Sequence, residues 1–251
     1  MEKVAIWSEQ YPVRFGAVDR SDTIRLSAAF DVFQEAAVSH AESLGVGREA
    51  MADSGQVWIL SRMSARFDRR PLYGEATVAR TWPRSWNKLF AIRDFDLRDS
   101  RGEAAIRARS CWLIIDIEKR RPLRPQTIMD SLPANEGLDV LSEIPAALPQ
   151  REGLAKLCER KVSYNDLDYN GHVNNVSYIR WIEDCMGSAF MEEAARGSLD
   201  INFMHEVLPG ETVEIWGERL EDAEGARAFA LEGRKPSGDQ PAFRAELRAR
   251  S

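Results

Sequence analysis

The sequence predicts an α+β protein made of two tandem copies of one unit, each a long central helix wrapped by an antiparallel β-sheet. Three observations predict it. Leu26, Phe30, Phe33, Ala37, Ala41 and Leu44 recur at spacings of three and four, which lays one apolar stripe along an α-helix, and Tyr178, Ile182, Cys185 and Ala189 repeat that pattern later. After each helix come β-branched and aromatic runs divided by turn residues. The flanks of the helices also echo each other. Val13-Arg14-Phe15 with Asp19 precedes the first, as Val162-Ser163-Tyr164 with Asp166 and Asp168 precedes the second. Pro71-Leu72-Tyr73-Gly74-Glu75 is answered by Leu208-Pro209-Gly210-Glu211.

In order along the chain, Val4 to Phe15 alternates as an edge strand and Val18 to Thr23 is a polar turn. The first helix follows, with Thr23 or Ser27 as its cap, and Gly45 and Gly47 stop it. Val57 to Phe67, Ala76 to Trp82, Phe90 to Arg98 and Ala104 to Ile117 read as strands. Pro71 to Gly74, Pro83 to Asn87 and Asp99 to Gly102 separate them. Cys111 to Ile117 has the composition of a strand buried on both faces. Pro122 and Pro125 close the block. Residues 131–154, rich in Pro and Gly, form a linker, with a short helix expected at Gly137 to Ile144, between domains at 1–130 and 155–251. Leu157 to Tyr164 is then a strand, and the second helix starts at Asn174 or Asn175. Ile179, Met186 and Phe190 flank its stripe, so this helix is apolar over most of its girth and belongs inside. Ser198 to Glu206, Thr212 to Leu220, Ala226 to Gly233 and Pro241 to Ala249 complete the second half. A long buried helix in an antiparallel wrap is the hotdog architecture.

Composition excludes several classes. The chain has 251 residues, enough for two cored domains, and 44% hydrophobic with 29% charged content is that of a globular protein. With 34 basic against 40 acidic side chains the net charge is -6, which argues against a general nucleic-acid binder. Cys111, Cys158 and Cys185 are odd in number and lack C-x-x-C spacing, so free thiols are expected, with no disulfide framework and no metal site. Met1 to Glu9 lacks the charged and apolar regions of a signal peptide, and no apolar run approaches the ~20 residues of a membrane span. A cytoplasmic location is the expectation.

The chemistry concentrates before the second helix, where Asp166, Asp168, Asn170, His172, Asn174 and Asn175 crowd one short stretch. Polar groups at the mouth of a buried helix are costly to desolvate unless paired or used. First-turn amides of a helix lack intrahelical partners and suit a developing oxyanion. In extended chain Asp168, Asn170 and His172 would face one way, with Tyr169 and Gly171 facing the other. Capping and turn formation are the alternative uses of the same residue types. No serine-nucleophile motif, metal-ligand spacing or phosphate loop competes. His40, lone near the first stripe, is assigned to a packing or surface role.

The run Asp166-Leu167-Asp168-Tyr169-Asn170-Gly171-His172-Val173-Asn174-Asn175-Val176, with Tyr178, Ile179 and Trp181 beyond it, resembles the signature of acyl-acyl carrier protein thioesterases. Trp58, Arg62-Met63, Asp68-Arg69, Pro71, Gly74-Glu75, Gly102-Glu103, Arg107-Ala108, Ser110 and Trp112 extend the resemblance through the first half. It implies a double hotdog that hydrolyses the thioester between a fatty acyl chain and the phosphopantetheine arm of the carrier, without a cofactor. It also implies a catalytic set of Asp168, Asn170 and His172, completed by Glu206 from the strand after the second helix. Val173 and Asn174 would supply backbone donors to the carbonyl oxygen. Many plant members carry a Cys after that Glu; here it is Val207, so direct attack by water is expected, with Glu206 or Asp168 as base. The absent transit peptide fits a bacterial member. Glu183 and Cys185 on the helix, and His205 beside Glu206, are given structural roles.

The first half has Asp19 but no Asn-x-His, so it is expected to be catalytically silent and to bind the acyl chain, with Phe30, Phe33 and Trp58 as wall residues. An acidic carrier protein needs a basic docking patch. Arg66, Arg69 and Arg70 form one candidate; Lys119, Arg120, Arg121 and Arg124 form the other. The protein is expected to work as a monomer or homodimer. An acyl-CoA thioesterase on this fold, or an acyl-binding protein without hydrolysis, are the alternatives.

Overall fold

Helix α1 (Leu26–Ser43) forms where the first stripe lies and buries Leu26, Ala29, Phe30, Phe33, Ala36 and Ala37. Gly45 (φ 73) turns the chain out of it. Helix α4 (Asn175–Met186) buries Val176, Tyr178, Ile179, Trp181 and Ile182. Gly187 (φ 79) ends it and leads into the short helix α5 (Ser188–Glu193). In this computed structural model, residues 4–133, 135, 137–221, 226–236 and 240–250 are described. The reading of Met1 to Lys3, and Ala134 and Glu136 within the linker, fall outside them.

The first half comprises strand β1 (Trp7–Pro12), α1, a helix α2 (Arg48–Asp53), strands β2 (Gln56–Phe67), β3 (Ala76–Asn87), β4 (Phe90–Arg98), β5 (Ala104–Asp116) and β6 (Arg121–Leu123), and a helix α3 (Gln126–Met129). The second comprises β7 (Ala155–Lys161), α4, α5, β8 (Arg196–Phe203), β9 (Thr212–Leu220), β10 (Arg227–Arg234) and β11 (Pro241–Arg250). All pair antiparallel in one sheet of order β1-β3-β4-β5-β2-β8-β11-β10-β9-β7, with β6 added on β5. The β2–β8 ladder, Arg62↔Asn202 to Phe67↔Gly197, makes one sheet of the two halves.

Matching backbone hydrogen bonds establish the repeat residue by residue. Arg25 N–H donates to Ala17 O as Asn174 N–H does to Asp166 O. Ile24 N–H donates to Pro71 O as Val173 N–H does to Val207 O. Asp68 N–H donates to Ala105 O as Met204 N–H does to Ala242 O. Asp19, Ser21, Thr23 and Arg70 thus stand where the second half has Asp168, Asn170, His172 and Glu206. Two contacts join equivalent residues and so mark the pseudo-twofold axis: Ser64↔Asp200 in the sheet, and Asp31 with Arg180 (2.5 Å) between α1 and α4.

Several expectations are corrected. Strand β3 continues through Pro83 to Asn87, because a bulge between Pro83 and Ser85 accommodates the proline. The turn falls at Lys88 instead (φ 54). Strand β8 stops at Phe203, so Glu206 stands on the loop after it. Neither Thr23 nor Ser27 caps α1; its cap position is Arg25, which makes no side-chain cap bond. The expected helix at Gly137 to Ile144 does not form. That segment is instead a strap held against the outer face of the sheet. Arg109, buried and bidentate to Asp94 (2.6 and 2.7 Å), also donates to Asp139 (2.8 Å) and Glu143 O. Asn202 then binds Leu148 N–H and Ala146 O.

Candidate active site

The loop between β7 and α4 is built on two aspartates. Asp166 accepts from Ser163 N–H and Oγ (both 2.8 Å) and from Trp181 Nε1 (3.1 Å), which ties the loop to the helix. Asp168 closes a tight turn. Its N–H donates to His172 O (2.8 Å), and its Oδ1 accepts the N–H groups of Asn170 (2.8 Å) and His172 (3.3 Å). Gly171 supplies the left-handed residue (φ 77). Asp168, Asn170 and His172 therefore come together by a turn, not by the alternation of an extended strand. Asn170 Nδ2 donates to Asp168 Oδ2 (3.3 Å).

The loop after β8 brings Glu206 to the other side of His172, with Nδ1 to Oε2 at 3.4 Å. Glu206 is exposed and His172 half-buried. The next residue, Val207, is fully buried and its carbonyl receives Val173 N–H, so its side chain belongs to the core and not to the site. His205 Nδ1 donates to Pro241 O (2.8 Å), a structural bond.

The helix mouth corrects the expected oxyanion donors. Val173 N–H is engaged by Val207 O (2.9 Å) and Asn174 N–H by Asp166 O (2.8 Å). The Asn174 side chain caps α4 by accepting from Val176 N–H (2.8 Å), and Asn174 O takes Ser177 N–H. Among the described residues, the Asn175 N–H has no protein acceptor, and Asn175 lines a groove that opens at this end of the helix.

That groove holds about 340 Å³ of open space, counting its mouth. Phe30, Phe33 and Gln34 of α1, Leu60 and Met63 of β2, Phe95 of β4, and Ser110 and Trp112 of β5 form one side. Asn175, Val176 and Ile179 of α4 and Phe203 of β8 form the other. Phe30 and Phe33, expected as wall residues, both line this groove. Trp58 does not: its Nε1 donates to Val46 O (2.9 Å), pinning the connection between α1 and α2. Met63, Trp112, Asn175 and Gln34 were missed. Gln34 had a signal, since it lies four residues after Phe30 on the apolar side of α1.

The equivalent loop of the first half keeps the aspartate and loses the rest. Asp19 Oδ1 accepts from the N–H groups of Ser21 (2.9 Å) and Thr23 (3.4 Å). The guanidinium of Arg70, at the position of Glu206, pairs with Asp19 at 2.6 Å in a nearly water-free setting and donates to Met191 O (2.6 Å). A closed ion pair thus fills the place that the exposed His172–Glu206 pair takes in the second half.

A buried helix in each half, one continuous antiparallel wrap and, among the described residues, one carboxylate–imidazole pair just before the second helix define a double-hotdog protein. The model of the acyl-ACP thioesterase N-terminal domain matches residues 5–132, and that of the acyl-ACP thioesterase C-terminal domain matches residues 151–245. The chain belongs to the acyl-ACP thioesterase family, whose members are thioester hydrolases. It is 24% identical to the chloroplastic oleoyl-acyl carrier protein thioesterase 1 of Arabidopsis thaliana, over 93% of this chain and 69% of that one. It spans about half the length of other curated relatives, 52% for several of them. In fold it is similar to an acyl-ACP thioesterase from Bacteroides thetaiotaomicron (TM-score 0.82, 23% identity, 97% of each chain). It is likewise similar to the 12:0-ACP thioesterase from Umbellularia californica (TM-score 0.83, 20% identity, 98% of this chain and 94% of that one).

Proposed function

We propose that this chain releases a free fatty acid from acyl carrier protein by direct attack of water on the thioester, at one site in its C-terminal half. The observation that carries the reading is the meeting of His172 and Glu206 just before the start of α4, whose Asn175 and Val176 line the groove, in one half only. The acyl chain occupies the groove against Phe30, Phe33 and Met63, and the thioester lies at the start of α4. Its carbonyl oxygen accepts from the free Asn175 N–H, and negative charge developing there meets the positive end of the helix. Glu206 takes the proton of the attacking water, and His172 and Asn170 orient that water and the carbonyl. Asp168 is assigned to shaping the loop, since Asp19 makes the same backbone bonds where no acid–base partner exists. Collapse of the tetrahedral intermediate breaks the C–S bond, and the thiolate takes back the proton held by Glu206. Water and thioester thus become carboxylic acid and thiol.

The first half serves as acyl wall and docking platform. Of the two basic clusters, Arg66 is paired with Asp200, Arg69 with Glu75 and Asp99, and Arg70 is buried. Arg120, Arg121 and Arg124 are exposed and, among the described residues, lack acidic partners. Ile117, just before them, donates its N–H to Gly55 O directly after α2, and Arg48 at the start of α2 stacks over Tyr169 of the catalytic loop (4.6 Å). This end of the sheet therefore adjoins the site and suits an acidic carrier. Because β2–β8 pairing supplies the partner half within one chain, a monomer suffices. Turnover of one acyl chain on carrier protein and on CoA tests the reading. A kcat/KM at least ~10-fold higher on the carrier is expected, and equal or better use of CoA would overturn the carrier assignment.

A further inference from the structure

Resting on the site reading above, we propose that Gln34, from the half without a catalytic loop, is a catalytic residue whose side-chain Nε2–H donates to the thioester carbonyl oxygen beside the Asn175 N–H. The pseudo-twofold axis places it. Arg25 and Asn174 are equivalent cap positions, so Gln34 and Glu183, each nine residues further on, are equivalent. Helices α1 and α4 cross on the axis at Asp31 and Arg180. Glu183 consequently reaches the start of α1, where its Oε1 accepts from Ser27 N–H at 3.2 Å. The same operation carries Gln34 to the start of α4, and the groove is indeed lined there by Gln34, Asn175 and Val176.

The chemistry at the two crossings differs. At α1 a buried carboxyl group closes the helix mouth, accepting from the Ser27 N–H. At α4 the partner is a neutral amide, half-buried and, among the described residues, without a hydrogen-bond partner. A carboxylate at that point would cap the helix and oppose charge developing on a nearby oxygen, whereas an amide donates to that oxygen. The first half is thus silent in its own loop and active in its helix. The reciprocal contact, Glu183 to α1, is structural.

The test is steady-state kinetics of Gln34→Ala, Gln34→Glu and the near-isosteric Gln34→Met on the acyl-carrier substrate, with Glu206→Gln and Glu183→Gln in parallel. Loss of one oxyanion donor is expected to cut kcat by about 100-fold in Gln34→Ala and Gln34→Met, with KM changed less than about threefold. Gln34→Glu is expected to lose at least as much at neutral pH and to regain activity, relative to wild type, as pH falls and its carboxyl protonates into a donor. A purely structural glutamine gives no such recovery. Glu183→Gln is expected to keep kcat and lower the melting temperature. If the folded Gln34 variants keep kcat within about threefold while Glu206→Gln loses about 100-fold, the Gln34 role is overturned and the site stands. If Glu206→Gln also keeps full activity, the site reading itself falls.

Discussion

Asp168 and Asp19 separate loop-building from chemistry at the level of single residues. Both organise the same turn through the same backbone N–H groups; on the proposed reading the aspartate therefore shapes the loop, and the added chemistry is His172 with Glu206. In the first half Arg70 and Asp19 form a desolvated pair. Breaking such a pair from one side leaves a buried charge, so Asp19→Asn is expected to cost about 3–5 kcal/mol in chemical denaturation while turnover per folded molecule is kept. The motif residues were legible because they are contiguous. Glu206 was placed only through family resemblance, because its contact with His172 depends on where β8 ends. The oxyanion donors were misassigned to Val173 and Asn174, because sequence cannot show that Val207 O and Asp166 O already engage them.

Among the elements, the long helices were readable from their stripes, and their crossing was not. Which residue of α1 meets which of α4 follows from the β2–β8 register, a pairing between segments more than a hundred residues apart. The groove is a product of that crossing, which is why Phe30 and Phe33 line it and Trp58 does not. Met63→Trp, which fills the groove from β2, is expected to shift released fatty acids toward shorter chains, as read by chromatography of the products. His40, buried near the end of α1, bonds Val4 O through Nε2 (2.8 Å) and lies 3.1 Å from Arg93 through Nδ1. Burial lowers its pKa from 6.5 to about 4. The unfolded chain therefore takes up this proton first as pH falls. Stability is expected to be level above pH 6.5 on this account and to fall by roughly 3 kcal/mol as pH drops toward 4. Denaturation across that range, with His40→Gln removing the slope between 4.5 and 6.5, checks it.

At the scale of the whole molecule, two near-copies share one sheet and divide the labour. On the proposed reading the second half holds the acid–base residues; the first supplies most of the groove wall and the exposed cations at Arg120, Arg121 and Arg124. Replacing those three arginines by glutamate is expected to raise KM for acyl-carrier substrate about 10-fold or more, to leave acyl-CoA turnover unchanged, and to flatten the dependence on salt. The duplication itself was visible in the sequence as paired turns and paired stripes. The strap role of the linker was not, because it depends on Arg109, Asp94 and Asn202 from distant strands. The claim on which everything else rests is that hydrolysis proceeds at the His172–Glu206 pair. The direct measurement is kcat for fatty acid release from acyl carrier protein by Glu206→Gln. Because Glu206 is exposed, its loss is expected to cut kcat by at least ~100-fold with the melting temperature unchanged. A folded Glu206→Gln protein that releases fatty acid at the wild-type rate would contradict the account.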